Sequence, residues 1–230
     1  MSDAPKKPAR KKASPKEDAP QTDAAADPRQ AVLMAALPHA AFDGFTDSVL
    51  EKAGKEAGID KAEVARLFEG GPSSLIEFYS VWADEQMETA LAASDLKAMK
   101  IRERIAAAVR ARLTVLKPHK EAARRAAAML SLPLNAALGA RLMYRTVDAM
   151  WRSVGDTSTD FNFYTKRGIL AGVYGATAMR WFTDDSADQK VTEEFLAARI
   201  ENVMQFEKLK AKAKKALSNF PAFGDWAKPK

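Results

Sequence analysis

The sequence predicts an all-α chain of roughly nine or ten helices. Three observations point there. Apolar residues recur three and four positions apart over long stretches, the period that gives a helix one buried face. Helix start and stop residues punctuate those stretches, with Ser, Thr or Asp on one side and Gly or Pro on the other. No segment between turn signals alternates apolar with polar residues as a half-buried strand would.

The chain of 230 residues has ample sequence for one large or two small domains. It contains no cysteine, which excludes disulfides, iron–sulfur clusters and thiolate zinc. No hydrophobic signal peptide or spanning segment is expected. The net charge of +6 sits at the ends. Seven basic residues face five acidic ones before Gln30, and seven face three after Ile200, so the body between is neutral.

Met1 to Pro28 is rich in Lys, Ala, Pro and Asp without apolar periodicity, and is expected to be a disordered, solvated bacterial tail. Its acids argue against a mitochondrial presequence. Residues 29–70 read as a compact module of three short helices. Arg29–Leu37 is closed by Pro38, Thr46–Ala57 runs from a Thr N-cap to Gly58, and Asp60–Phe68 opens on a capping-box-like signal. Residues 71–207 read as a larger helical domain. Ser74-Leu75-Ile76-Glu77 fits a capping box for a helix to Ala92, with Leu75, Phe78, Tyr79 and Trp82 in the core. A helix from Leu96 to Leu116 follows, apolar at Ile101, Ile105, Val109 and Leu113 or Leu116. Pro118 interrupts it and opens a helix to Leu130.

Pro133 opens the central stretch, two helical segments joined by Gly155-Asp156-Thr157-Ser158-Thr159. The first places Met143, Val147, Met150 and Val154 on one face, with Tyr144 and Trp151 at its edge. Gly155 suits a C-cap, and Ser158 or Thr159 an N-cap. The second lines one side with Leu170, Val173, Tyr174, Thr177 and Trp181, and the other with Gly168, Gly172 and Gly175. Each interior glycine costs about 1 kcal/mol against alanine. Close approach to another helix, in the core or across a dimer interface, is the expected offset. Lys166, Arg167 and Arg180 leave too short an apolar run for a membrane dimer motif.

Catalytic signatures are missing: there is no phosphate loop, dinucleotide fingerprint or serine elbow. His39 and His119 each follow a proline at a helix boundary and read as structural. Asp156, Asp160, Asp184 and Asp185 read as caps or solvated loop carboxylates rather than as a catalytic pair. No enzyme, metal or cofactor is expected.

Two features point outward. Asp160-Phe161-Asn162-Phe163-Tyr164-Thr165-Lys166-Arg167 packs three aromatics and two cations at a helix start, and they cannot all face one core. With Asp148 and Trp151 from the preceding helix, Asp160, Phe163 and Tyr164 form an aromatic cluster rimmed by carboxylates, the expected anchor for a partner protein. Arg167 is suited by charge to a lipid phosphate or headgroup. The second feature is the basic tail of residues 208–230 with the turn before it. Phe206, Leu209, Leu217 and Phe220 share one helical face, and Lys210 and Lys214 flank it, the pattern of an interfacial helix on anionic lipid.

The series Phe42, Gly44-Phe45-Thr46, Ala53, Ala57-Gly58-Ile59, Leu67-Phe68 resembles the helix-turn-helix of tetracycline-repressor-type regulators. Between Gly44 and Gly70, however, four basic residues face six acidic ones. A net negative module repels phosphates, so the fold is expected without DNA binding. A ligand-responsive regulator of that type is the alternative function.

Ala36-Leu37-Pro38-His39, Phe42-Asp43-Gly44, Leu132-Pro133, and above all Trp151 with Gly155 through Arg167 resemble the lipid-binding accessory protein family of ubiquinone (coenzyme Q) biosynthesis. The resemblance spans about Gln30 to Met204. It implies a tetracycline-repressor-like homodimer with a degenerate helix-turn-helix. That dimer binds isoprenoid or phospholipid in an interior cavity, touches the bacterial inner membrane from the cytoplasm, and presents ubiquinone precursors to a late-pathway di-iron hydroxylase. Asp160, Phe163-Tyr164 and Arg167 match positions to which the family assigns roles. Phe163 stands where compared relatives carry Trp.

Overall fold

The computed structural model describes residues 27–159 and 161–218. The expectations for the N-terminal tail up to residue 26, for Asp160 and for Phe220 therefore lie outside the described residues. The N-terminal module is α1 (Pro28–Asp43), α2 (Asp47–Glu56) and α3 (Lys61–Leu67). Asp27 accepts the Arg29 N–H at 2.9 Å, and Pro28, which has no N–H to satisfy, occupies the first turn. Thr46 and Asp60 cap the next two helices as expected, through the N–H groups of Val49 and Glu63. A Cβ on Gly54 would lie 2.3 Å from Val64 Cγ2, so α2 and α3 cross at a distance only glycine permits.

Pro38 does not close α1, contrary to expectation; the helix continues to Asp43 and stops at Gly44, whose φ is 72°. An interior proline costs roughly 3 kcal/mol. Against it, Val32, Leu33, Ala36, Leu37 and Ala40 are buried on both sides of the proline. At about 1.5–3 kcal/mol for each large aliphatic side chain, their burial outweighs the proline.

The larger domain comprises α4 (Pro72–Ala92), α5 (Ile101–Leu116), α6 (Lys120–Leu130), α7 (Ala136–Ser153), α8 (Phe161–Phe182) and α9 (Lys190–Ser218). Ser74 is not the N-cap of α4. The helix opens one residue after Gly71, and the Ser74 hydroxyl reaches back to accept the Gly70 N–H at 2.9 Å. Leu96–Ala98 forms a separate 3-10 turn, so α5 begins only at Ile101, where Glu103 accepts the Lys100 N–H at 2.9 Å. Helix α4 packs on α5 and α7, α8 on α7 and α9, and α6 ties the bundle to α1. Val147, Met150 and Val154 of the first central segment are buried, and so are Leu170, Val173, Tyr174, Thr177 and Trp181 of the second. Asp184 is a cap, as expected, receiving the backbone N–H groups of Ser186 at 2.9 Å and Thr192 at 2.7 Å.

Among the described residues, the glycine side of α8 makes no close contact. No heavy atom lies within 4 Å of a Cβ built on Gly168 or Gly172, and Gly175 meets only Met143 Cε at 3.6 Å. The intramolecular offset is thus corrected, and approach by a second copy is the offset that stays open. Gly172→Leu is expected to leave helicity and the thermal transition intact, because nothing among the described residues stands in the way of the new side chain. If a second copy packs on this face, sedimentation should show wild type as a dimer and the variant as a monomer. A dimer of unchanged stability would put this face in open solvent.

Candidate functional site

The turn between α7 and α8 is where the functional candidates converge. Gly155 adopts φ +88°, a left-handed conformation that lets the chain reverse directly after α7. The reversal brings Asp156 under the first turns of α8. Its carboxylate accepts from Lys166 Nζ at 2.7 Å, from the Ser158 hydroxyl at 2.8 Å and from Arg167 Nη1 at 3.3 Å. Ser158 is thus a partner of Asp156, and α8 starts after it, at Phe161. Burial opposes ionisation of Asp156, but the bonds from Lys166 and Ser158 prevail and hold its carboxyl down at about 2.

Arg167 is the centre of this cluster. Its side chain is 3 % exposed, Nε donates to Asp148 Oδ1 at 2.6 Å, and Nη1 donates to the Phe163 carbonyl at 3.2 Å. The guanidinium carbon lies 3.4 Å from the Phe163 ring centroid. The expectation that Arg167 meets a lipid headgroup is therefore corrected: its charge is answered inside the chain by Asp148 and Asp156. Asp148, expected at the partner surface, is half-buried and shared between Arg167 and Arg152, the latter at 3.0 Å. Asp156 and Lys166 complete the clamp. The signal for them in the sequence was an acid and two cations ten and eleven positions apart, bracketing a glycine turn.

The aromatics divide. Trp151 is half-buried, donates Nε1–H to the Lys166 carbonyl at 3.1 Å and carries the Lys166 ammonium 5.4 Å above its ring. Phe163 is held between Arg167 and an edge-on contact with Tyr164. Among the expected anchors that are described, Tyr164 is the open one, at 68 % exposure. Beside this edge an apolar cleft of about 270 Å³ runs between α5, α8 and α9, with Ile101, Trp151, Ile169, Ile200 and Met204 among its walls. Phe206 and Leu209 are exposed. The side chains of Lys210, Lys214 and Leu217 lie outside the described residues.

A second cavity, of about 390 Å³, opens between α4, α5, α6, α7 and α8. Leu116, Leu142, Met143 and Phe182 are among its apolar walls, and Tyr79, Arg112 and Thr146 form a polar end. Arg112 Nη1 lies 3.1 Å from Asp84 Oδ1, both side chains being 5 % exposed or less. Arg112 also donates to the Ser80 carbonyl at 3.2 Å and to the Thr146 hydroxyl at 3.5 Å. Asp84 and Arg112 were not among the expected site residues. The signal for them is an opposite pair of charges standing in the apolar registers of neighbouring helices.

Arg167→Met should destabilise the chain by about 3–5 kcal/mol, the usual penalty for stripping one partner from a buried ion pair, read by urea unfolding. Asp156 gives a pH test. Its folded value of about 2 lies below the ordinary 3.8. Its stabilisation is therefore complete above about pH 4 and is lost as pH falls towards 2. Wild type should lose thermal stability over that window by more than Asp156→Asn does. Parallel acid profiles would show that the carboxylate carries no net stabilisation.

Residues 136–207, which span α7, α8 and the clamp, match the COQ9 family. The chain is 32 % identical over 181 residues to "Ubiquinone biosynthesis protein COQ9, mitochondrial" of Bos taurus, covering 75 % of this chain and 56 % of that one. The protein of the same name from Homo sapiens is 30 % identical, with the same coverage of each chain. The chain thus spans a little over half the length of the curated relatives it matches. Among solved structures, a TetR transcriptional regulator from Nitrosomonas europaea superimposes with a TM-score of 0.62 at 18 % identity, over 76 % of this chain and 97 % of that one. This chain is thus similar to the COQ9 family, by family model over residues 136–207, and its helices share the fold of that TetR regulator.

Proposed function

We propose that this chain is a non-catalytic accessory protein of ubiquinone biosynthesis that carries a membrane-derived lipid in its interior cavity. It hands isoprenoid precursors to the pathway's di-iron hydroxylase. The observation that carries the reading is the cavity of about 390 Å³ lined by α4 to α8. Its size falls within the roughly 300–1,000 Å³ of ordinary ligand sites. Its wall is mainly apolar, and the exposed Met179 lines it beside Ser131, in the same turn as the exposed Leu132 and Leu134. That apolar fringe suits a lipid leaving a bilayer. The relatives' printed role in ubiquinone biosynthesis supports the choice of pathway.

The likeness to a TetR regulator favours a gene-regulatory role, but the charges of α1 to α3 oppose it. Lys61 pairs with Glu51, Arg66 with Glu63, and Lys52 and Glu56 both meet His39. Few cations are left to displace counterions from a phosphate backbone. Past Met204 the exposed Phe206 and Leu209 of α9 suit peripheral attachment to a membrane. Tyr164 suits the hydroxylase contact, because it is the exposed aromatic above a rigid clamp.

Mass spectrometry of lipid extracted from the purified protein is expected to find a polyprenyl species. Finding no amphiphile, together with salt-dependent binding to duplex DNA, would overturn the carrier reading in favour of a regulator. Tyr164→Ala is expected to keep the native thermal transition and to weaken capture of the hydroxylase by about 2 kcal/mol, roughly thirtyfold. Unchanged capture would move the docking surface elsewhere. Trp151→Ala cannot serve for this test, because it also removes a hydrogen bond and packing within the clamp.

A further inference from the structure

The surface opens into a groove of about 680 Å³ between α2 and α3, away from the bundle's cavities. Buried Leu50, Val64 and Phe68 stand at its base. Its rim carries Asp47, Glu51, Asp60 and Glu69 against Lys55 and Lys61, all of them exposed. Lys61 answers Glu51 at 3.2 Å, which leaves three acids facing Lys55. A rim that repels phosphate attracts lysine and arginine.

The chain carries a segment of that chemistry. Lys6, Lys7, Arg10, Lys11, Lys12 and Lys16 stand within residues 6–16 without one acid among them. The segment is also tethered beside the groove. Asp27 opens α1, and two residues later the Arg29 guanidinium carbon lies 5.2 Å from the ring centroid of Phe68, a residue of the groove's own wall. Lys16 precedes Asp27 by eleven residues, which extended span about 36 Å. That exceeds the length of α1, about 24 Å, so the whole rim is within reach. Exposed ion pairs contribute only about 0–1 kcal/mol each, too little to hold a free peptide. A short tether raises the effective concentration to the order of millimolar, where several such pairs suffice. We propose that the α2–α3 groove is the docking site of this chain's own residues 6–16. This assignment is independent of the cavity between α4 and α8 and of its cargo.

The chain has no cysteine, so Ser14→Cys offers a single site for a nitroxide spin label, and amide signals of the full chain are then read. The label should weaken the signals of Lys55, Ala65 and Glu69 by about twofold or more, the loss for a segment docked at least half the time at that effective concentration. Signals of α7 and α8 should keep their intensity. Salt at about 0.5 M, which screens charges beyond roughly 4 Å, should restore the groove signals. So should Asp47→Asn with Glu69→Gln in the rim. Lys11→Gln with Lys12→Gln in the segment should do the same without touching the folded body. Groove signals at full intensity from the start, or still weakened in either double variant, overturn the docking. Spin-labelled chain is also mixed with isotope-labelled chain that carries no nitroxide. Weakening of equal size in that mixture assigns the groove to another copy's segment and overturns docking within one chain.

Discussion

A charge inside an apolar bundle must be answered before the helices around it can close. Desolvation costs several kcal/mol per ion, and only a well-placed opposite charge with further hydrogen bonds offsets it. Among the described residues two guanidiniums, Arg112 and Arg167, are buried, and the architecture follows from how each is met. Arg112 draws α4 and α5 together through Asp84 and Ser80, and reaches α7 at Thr146. Arg167 draws α8 onto α7 at Asp148 and onto the Gly155 turn at Asp156. Thr146 and Asp148 stand two residues apart on α7 and so project to different sides of it. That one helix is pinned from both directions, which joins the cavity's polar end to the aromatic edge bearing Tyr164.

Much of this was legible from periodicity. Each long apolar stripe became a helix, the caps at Thr46 and Asp60 act where they were read, and the buried side of α8 is the one its spacing marks out. The misreadings share a cause. Pro38 was given its local meaning as a helix breaker, and burial of five neighbours on α1 overrode it. Arg167 was given the ordinary meaning of a cation near a helix start, facing outward, but the left-handed turn at Gly155 delivers a carboxylate from eleven residues upstream. A helical wheel cannot display that contact, because it depends on the direction of a loop. Arg112 and Asp84 were visible as charges in apolar register. Their pairing needed the α4–α5 packing that single-helix patterns do not contain.

The N-terminal module separates frame from function. Its three helices keep caps, core and the close α2–α3 crossing, while its surface carries a charge of the wrong sign for nucleic acid. Fold is maintained by buried residues and recognition by exposed ones, so the second can be lost with the first intact.

Helix α9 is unbroken from Lys190 to Ser218, with Leu196 buried against the bundle and Phe206 and Leu209 outside it. Helical phase is therefore carried from the core to the far end like the angle of a key in its shaft. Each residue advances the azimuth by about 100°. Any plane that captures Phe206 and Leu209 thereby dictates which side of the bundle is turned towards it. One residue inserted after Met204 would swing the whole body through more than a quarter-turn. The length and register of that stem, as much as its composition, fix which side of the bundle faces such a plane.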